Sequence, residues 1–238
     1  MWAVFKKELK SYFLSPIGYI VIGALLLIAS VFFYLTTVTN SSIDLGGLYF
    51  YTALYGLLIA VPLLTMRMFA EERKTGTEQL ILTSPVGITG VVIGKFLAAM
   101  AVIVIALIMS FVYFGIMCYF GNPNILVILV SMLGFILISS AAIAVGMFAS
   151  SITESQVIAG VITMAFLVLT LFVPDLDIGL PDISIMSYYQ NFPSGVITLS
   201  DVVGPLSLAL MFISFTIIVM QRRKLVKYDR RGKSEKVF

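Results

Sequence analysis

Histidine is absent from the 238 residues, and cysteine occurs once, at Cys118. The first absence removes the commonest general base and the commonest transition-metal ligand. The second excludes an internal disulfide and any cysteine-based metal cluster. Charge is scarce as well: Asp, Glu, Lys and Arg make up 11% of the chain, against about 25% in a soluble domain. Hydrophobic residues reach 60% and mean hydropathy is +1.08. A soluble fold of this length has no core large enough for so much apolar surface, so the bilayer is the solvent for most of it.

What the chain does have is long apolar stretches. Crossing a bilayer as a helix takes about 20 residues, and six stretches qualify: 16–38, 48–66, 96–120, 125–149, 157–173 and 202–220. The first is too long for the apolar region of a signal peptide and no small-residue cleavage site ends it, so it is expected to stay as a span. Between Phe96 and Pro174 the single charge is Glu154, in a polar turn with Ser150, Ser151, Thr153 and Ser155. If residues 1–15 lie inside, all 15 Lys and Arg fall on inside segments (1–15, 67–95, 150–156, 221–238). The outside segments (39–47, 121–124, 174–201) carry only Asp44, Asp175, Asp177, Asp182 and Asp201. This asymmetry predicts both termini in the cytosol and an even number of spans.

Before the first span, Trp2, Phe5, Leu9 and Tyr12 or Phe13 recur at helical spacing with Lys6, Lys7 and Lys10 between them. This pattern fits a basic amphipathic helix in the inner headgroup region or a plain positive-inside anchor. Lys95 is expected at the inner boundary with its stem snorkelling, because 96–120 already spans. Pro62 in the second span and Pro205 near the start of the sixth each remove a backbone hydrogen bond and favour a kink.

Catalytic and nucleotide sites find little support. No ionisable group lies inside the six spans, which argues against an intramembrane enzyme and against an ion-coupled secondary transporter. The stretch from Gly90 to Phe96 falls short of a P-loop: Thr89 stands where its first glycine is needed and Phe96 where Ser or Thr follows the lysine. ATP hydrolysis by this chain alone is therefore not expected. Gly90, Gly94 and Ala98 instead form a small-xxx-small pattern suited to close helix packing. In the inner loop 67–85, Arg67/Glu71 and Lys74/Glu78 have the spacing of neighbours on a helix, and Thr75 with Glu78 fits a capping box. A short helix, a break at Thr75-Gly76 and a second short helix through Leu82 are predicted. The loop is either a solvated helix–turn–helix joining two spans or a docking surface for a soluble partner. Ser151 and Glu154 form another capping-box pattern, at the start of the fifth span, where a carboxylate also meets the positive end of the helix dipole. The outer segment 174–201 is apolar yet broken by Pro181 and Pro193. It fits a re-entrant or interfacial element that shapes a lateral exit, or an aromatic belt over the bundle.

The residues also carry a resemblance. The chain resembles the ABC type-2 permeases, and most closely their gliding-motility-associated branch. The similarity begins at Phe5-Lys-Lys-Glu-Leu-Lys-Ser-Tyr-Phe-Leu-Ser-Pro16 and is most specific from Pro62 through Arg-Met-Phe-Ala-Glu-Glu-Arg-Lys-Thr-Gly-Thr-Glu78 to Pro85. It continues at Gly94-Lys-Phe-Leu-Ala98, at Ser150-Ser-Ile-Thr-Glu-Ser-Gln156 and at Asn191-Phe-Pro-Ser-Gly195 through Val202. The resemblance implies an all-α membrane protein of six transmembrane helices that forms a single permease domain over 1–238. Residues 1–15 would be an amphipathic elbow helix including Trp2, Phe5, Lys6, Lys7 and Leu9, 16–221 the six-span bundle, and 222–238 a basic cytosolic tail. Ala70, Glu71, Glu72, Arg73, Lys74, Thr75, Gly76 and Glu78 would belong to a cytosolic coupling helix that docks a soluble ABC ATPase subunit. Ser151, Thr153 and Glu154 would make a second inner contact, and 174–200 an outer re-entrant helical segment.

The implied function is the membrane subunit of an ATP-driven exporter in a bacterial cytoplasmic membrane. The chain would pair with a second permease subunit, identical or not, lie in membrane lipid and bind no nucleic acid. It would be no enzyme and hold no cofactor itself; ATP and Mg would be bound by the partner ATPase. The branch name does not carry gliding over to this chain. Two other readings stand beside this one: a secondary transporter that needs no ATPase, and a structural anchor of a surface or motility complex.

Overall fold

The computed structural model describes residues 1–39, 45–77, 87–172 and 185–234. These residues form helices and turns, with no strand among them. Helix α1 (Trp2–Leu14) ends at Ser15, whose extended backbone turns the chain into α2 (Pro16–Phe32). Pro16 suits that start, because its fixed φ is already helical and its missing N–H is one that the first turn would leave unpaired. α2 continues through a π-helical stretch, Phe33–Val38. The second apolar helix is built as α3 (Gly46–Tyr51), a π-helical stretch (Thr52–Gly56) and α4 (Leu57–Thr65). After a turn comes the short α5 (Ala70–Lys74). Three long helices follow: α6 (Ile88–Phe120), α7 (Ile125–Ile152) and α8 (Gln156–Phe172). Short 3-10 turns at Ser187–Tyr189 and Phe192–Ser194 precede α9 (Leu199–Ser234).

Five helical stretches are long and apolar enough to cross a membrane: Pro16–Val38, Gly46–Lys74, Ile88–Phe120, Ile125–Ile152 and Leu199–Arg223. The chain is thus a multi-pass membrane protein. α8, at 17 residues, rises about 25 Å at 1.5 Å per residue, somewhat less than the roughly 30 Å of a hydrocarbon core. It is the shorter apolar helix of the set.

The core centres on α7. Residues Ser139 through Met147 are buried in unbroken succession, so this part of the helix is enclosed on every side. Its Ser, Ala and Gly side chains let neighbours approach closely, and α4, α6, α8 and α9 all pack on it. One end is closed by the turns before α9. Tyr189 and Phe192 are wholly buried there, their rings stacked 5.9 Å apart, and the Tyr189 hydroxyl donates to the Ser131 carbonyl at 3.0 Å. The aromatic residues of this segment therefore plug the bundle rather than coat it. Asn191 Nδ2 donates to Asp201 Oδ2 at 3.0 Å and fixes the turn to the start of α9. Residues 173–184, the remainder of the expected outer segment, lie outside the described residues.

One expectation is corrected. α6 begins at Ile88, so 88–95 is continuous helix and Lys95 lies within it. Lys95 does not snorkel: its side chain is only 3% exposed and its ammonium is held by carboxylates. The small-xxx-small pattern accounts for the close approach of α1. A Cβ added at Gly94 would sit 3.0 Å from Val4 Cγ1 and 3.3 Å from the Met1 carbonyl oxygen. Gly94→Leu is expected to push α1 off α6 and cost about 1–3 kcal/mol, the usual range for overpacking. A lower melting temperature in detergent, with faster tryptic cleavage at Lys6 and Lys7, would register it.

Candidate functional site

A cluster of charged residues gathers where α1, α5 and the first turns of α6 meet. Lys95 Nζ lies 2.7 Å from Glu72 Oε1 and 3.1 Å from Glu8 Oε1, with the two carboxylates 15% and 17% exposed. The Phe69 ring lies under the same ammonium, 5.3 Å from it. One cation thus ties three segments together. Such a buried cluster holds only while its members stay matched, because each charge has already given up its water. Tyr12 adds a neutral link. α4 ends at Thr65, so carbonyls of its last turn lack helical partners, and the Tyr12 hydroxyl donates to one of them, Leu64 O, at 3.1 Å. Burial raises the Tyr12 hydroxyl well above its ordinary pKa, and the neighbouring charges of Glu8 and Glu72 push it further the same way. It stays a protonated donor.

The turn leading into α5 is pinned by a single hydroxyl. Ser150 Oγ accepts from Phe69 N at 3.1 Å and from Ala70 N at 3.2 Å, and donates to Met66 O at 3.4 Å. The side chain belongs to α7, some eighty residues away in sequence, yet it supplies the acceptor that an N-terminal cap would otherwise provide. Farther out, Arg73 donates to Ile152 O at 2.8 Å and to Glu154 Oε1 at 2.7 Å. α5 is thereby tied both to the bundle and to the turn between α7 and α8.

The residues singled out from the sequence separate into distinct positions. Ala70 is buried. Glu72 and Arg73 are spent on inward partners. Lys74, Thr75 and Gly76 are exposed, and Glu71 lines a cavity beside α1. Glu78 and the second short helix lie outside the described residues, as does the capping box that Glu78 would complete. Thr75 itself closes α5, with its hydroxyl donating to Glu71 O at 2.9 Å. Gly76, at φ +74°, provides the break after it, since a left-handed backbone favours glycine.

The expected capping box at Ser151 is also corrected: α7 runs through Ile152, the Ser151 hydroxyl turns back to Phe148 O at 2.7 Å, and Glu154 engages Arg73. The Thr153 hydroxyl donates to Ala149 O at 3.3 Å. On α1, Leu9 packs against the core and Phe5 is half-buried, while Lys6, Lys7 and Trp2 are exposed. Trp2 stacks on Phe5 with ring centroids 5.0 Å apart, and Lys6 Nζ lies 5.7 Å from the Trp2 ring.

Sequence reasoning missed Glu8, Lys95 and Ser150 as members of this site. Glu8 carried a signal, for it falls on the same helical stripe as Phe5 and Tyr12, where an acid has no reason to sit unless it meets a base. A family model for ABC-2 family transporter proteins matches the chain over residues 2–181. Comparison with curated proteins gives no match.

Proposed function

The chain belongs to the ABC-2 transporter family, and from that membership we propose that it is the permease subunit of an ATP-driven exporter, with Lys74–Thr77 as the working face of its coupling helix. Family members normally work with ATPase subunits, and this chain's own sequence offers no P-loop. The observation that supports the surface is the division of labour on α5. Its inward residues, Glu72 and Arg73, are fastened to α6 and to the α7–α8 turn, whereas Lys74 and the residues after it are exposed. A force applied at the exposed side would reach both long helices through short, charge-assisted links.

In this reading α1 is the elbow helix, α8 is the fifth of six spans, the basic residues face the cytosol of a bacterium, and the segment before α9 is re-entrant. The chain pairs with a second permease subunit. Its apolar outer surfaces on α2, the π-helical stretch after it and α9, including Leu27, Tyr34, Leu210 and Phe215, are available to lipid or to that second subunit. The motif residues resemble most the gliding-motility-associated branch, whose name assigns no substrate here.

Lys74→Glu combined with Thr77→Trp tests the surface without touching the buried links. The double variant is expected to keep its melting temperature but to retain at least tenfold less ABC ATPase in a pull-down from native membranes. Undiminished retention would remove Lys74–Thr77 from the interface. Transport that persists without any ATPase would favour a secondary transporter instead.

A further inference from the structure

Beside α1 lies a cavity of about 160 Å³ that the coupling reading does not use. A single water needs only ~10–15 Å³, so this space is sized for a molecule. Its walls carry both signs of charge, with Arg67 and Glu71 on one side and Glu8 and the hydroxyls of Ser11 and Tyr12 on the other. The Nε of Arg67 is buried and has no hydrogen-bond partner, an expensive condition for a cationic donor unless something accepts from it. Ser15, Ile17 and Met68 complete the lining, and Ile17 stands at the very start of the first apolar helix. The cavity therefore lies where α1 gives way to the first apolar helix.

We propose that this cavity binds the headgroup of an aminophospholipid, of the phosphatidylethanolamine type, through its phosphate on Arg67 and its ammonium on Glu71. The phosphate accepts from the Arg67 guanidinium and from the Ser11 hydroxyl. The ammonium donates to the Glu71 carboxylate and to the lone pair left on Tyr12, whose own proton is committed to Leu64 O. Charge balance selects this class. Glu8 is already answered by Lys95, so Arg67 and Glu71 leave one charge of each sign at the cavity; a purely anionic headgroup leaves Glu71 unmatched, whereas a zwitterion answers both. A choline headgroup has the same charges without N–H donors, so it forfeits the bonds to Glu71 and Tyr12. The site does not depend on which subunit drives the permease or on what it carries.

Delipidated full-length protein in detergent, titrated with dihexanoyl phosphatidylethanolamine and followed by native mass spectrometry, provides the test. Binding is expected at least tenfold tighter than for dihexanoyl phosphatidylcholine, and Arg67→Gln is expected to weaken it at least tenfold. Glu71→Gln, a smaller change that serves if Arg67→Gln fails to fold, is expected to weaken phosphatidylethanolamine while sparing or improving dihexanoyl phosphatidylglycerol. Lys10→Gln, which removes an exposed positive charge of α1, is expected to change nothing. Equal binding of the ethanolamine and choline lipids, or undiminished binding in Glu71→Gln, would overturn the proposal. Free phosphoethanolamine binding as tightly as the lipid would overturn the membrane source of the ligand.

Discussion

Lys95→Met is expected to destabilise the protein more than any other single substitution at this end of the bundle, by about 3–5 kcal/mol, the range found when one member of a buried ion cluster is removed. Met fills most of the volume, so the loss is electrostatic. Glu8 and Glu72, each within 3.1 Å of the ammonium today, would face each other with no cation between them. The measurement is thermal unfolding in detergent beside the wild type. A diagnostic second arm is the triple variant Lys95→Met, Glu8→Gln, Glu72→Gln, which removes the stranded charges and is expected to recover much of the loss. An unchanged melting temperature in Lys95→Met would mean that the ammonium contributes nothing net. A triple variant no better than the single would mean that packing, rather than charge, is what Lys95 provides.

Ser150→Ala comes second. It removes one oxygen and leaves the amides of Phe69 and Ala70 buried without an acceptor. Losing a helix cap costs about 0.5–2 kcal/mol, and a stranded buried polar group about 1–3 kcal/mol. A total near 2 kcal/mol is expected, expressed locally as faster amide exchange across 69–74 while the middle of α7 stays protected. Ser150→Thr, which keeps the oxygen, separates hydrogen bonding from volume. If the alanine variant exchanged no faster over 69–74, water would be satisfying those amides and the pin would be dispensable.

Most of the helical frame could be read from hydropathy. The ends at 16, 38, 120 and 125 coincide with the observed helices, because Pro16 and the Gly121–Asn124 turn are local breakers that need no tertiary help. The burial of Lys95 was not legible for the opposite reason. Lysine within an apolar run looks like a boundary unless its partners are known, and those partners lie 23 and 87 positions away. The Ser151–Glu154 pattern failed similarly: its spacing is right for a cap, but Arg73 from a distant turn claims the carboxylate. The break at Thr75-Gly76 was legible, since glycine at positive φ is a local requirement. That α5 divides into a fastened side and an exposed side was not legible, because Ser150, Lys95 and Glu154 all reach it from other parts of the chain.

The contact between Glu8 and Lys95 also sets a timetable. Eighty-seven residues separate the two, so at roughly 5–20 residues per second the ribosome leaves α1 waiting about 4–17 seconds for its partner. During that interval its lysines and its Trp2–Phe5 pair suit it to rest on lipid headgroups. The first helix to be made is therefore not locked until the third apolar helix has begun to appear, after the first two are complete.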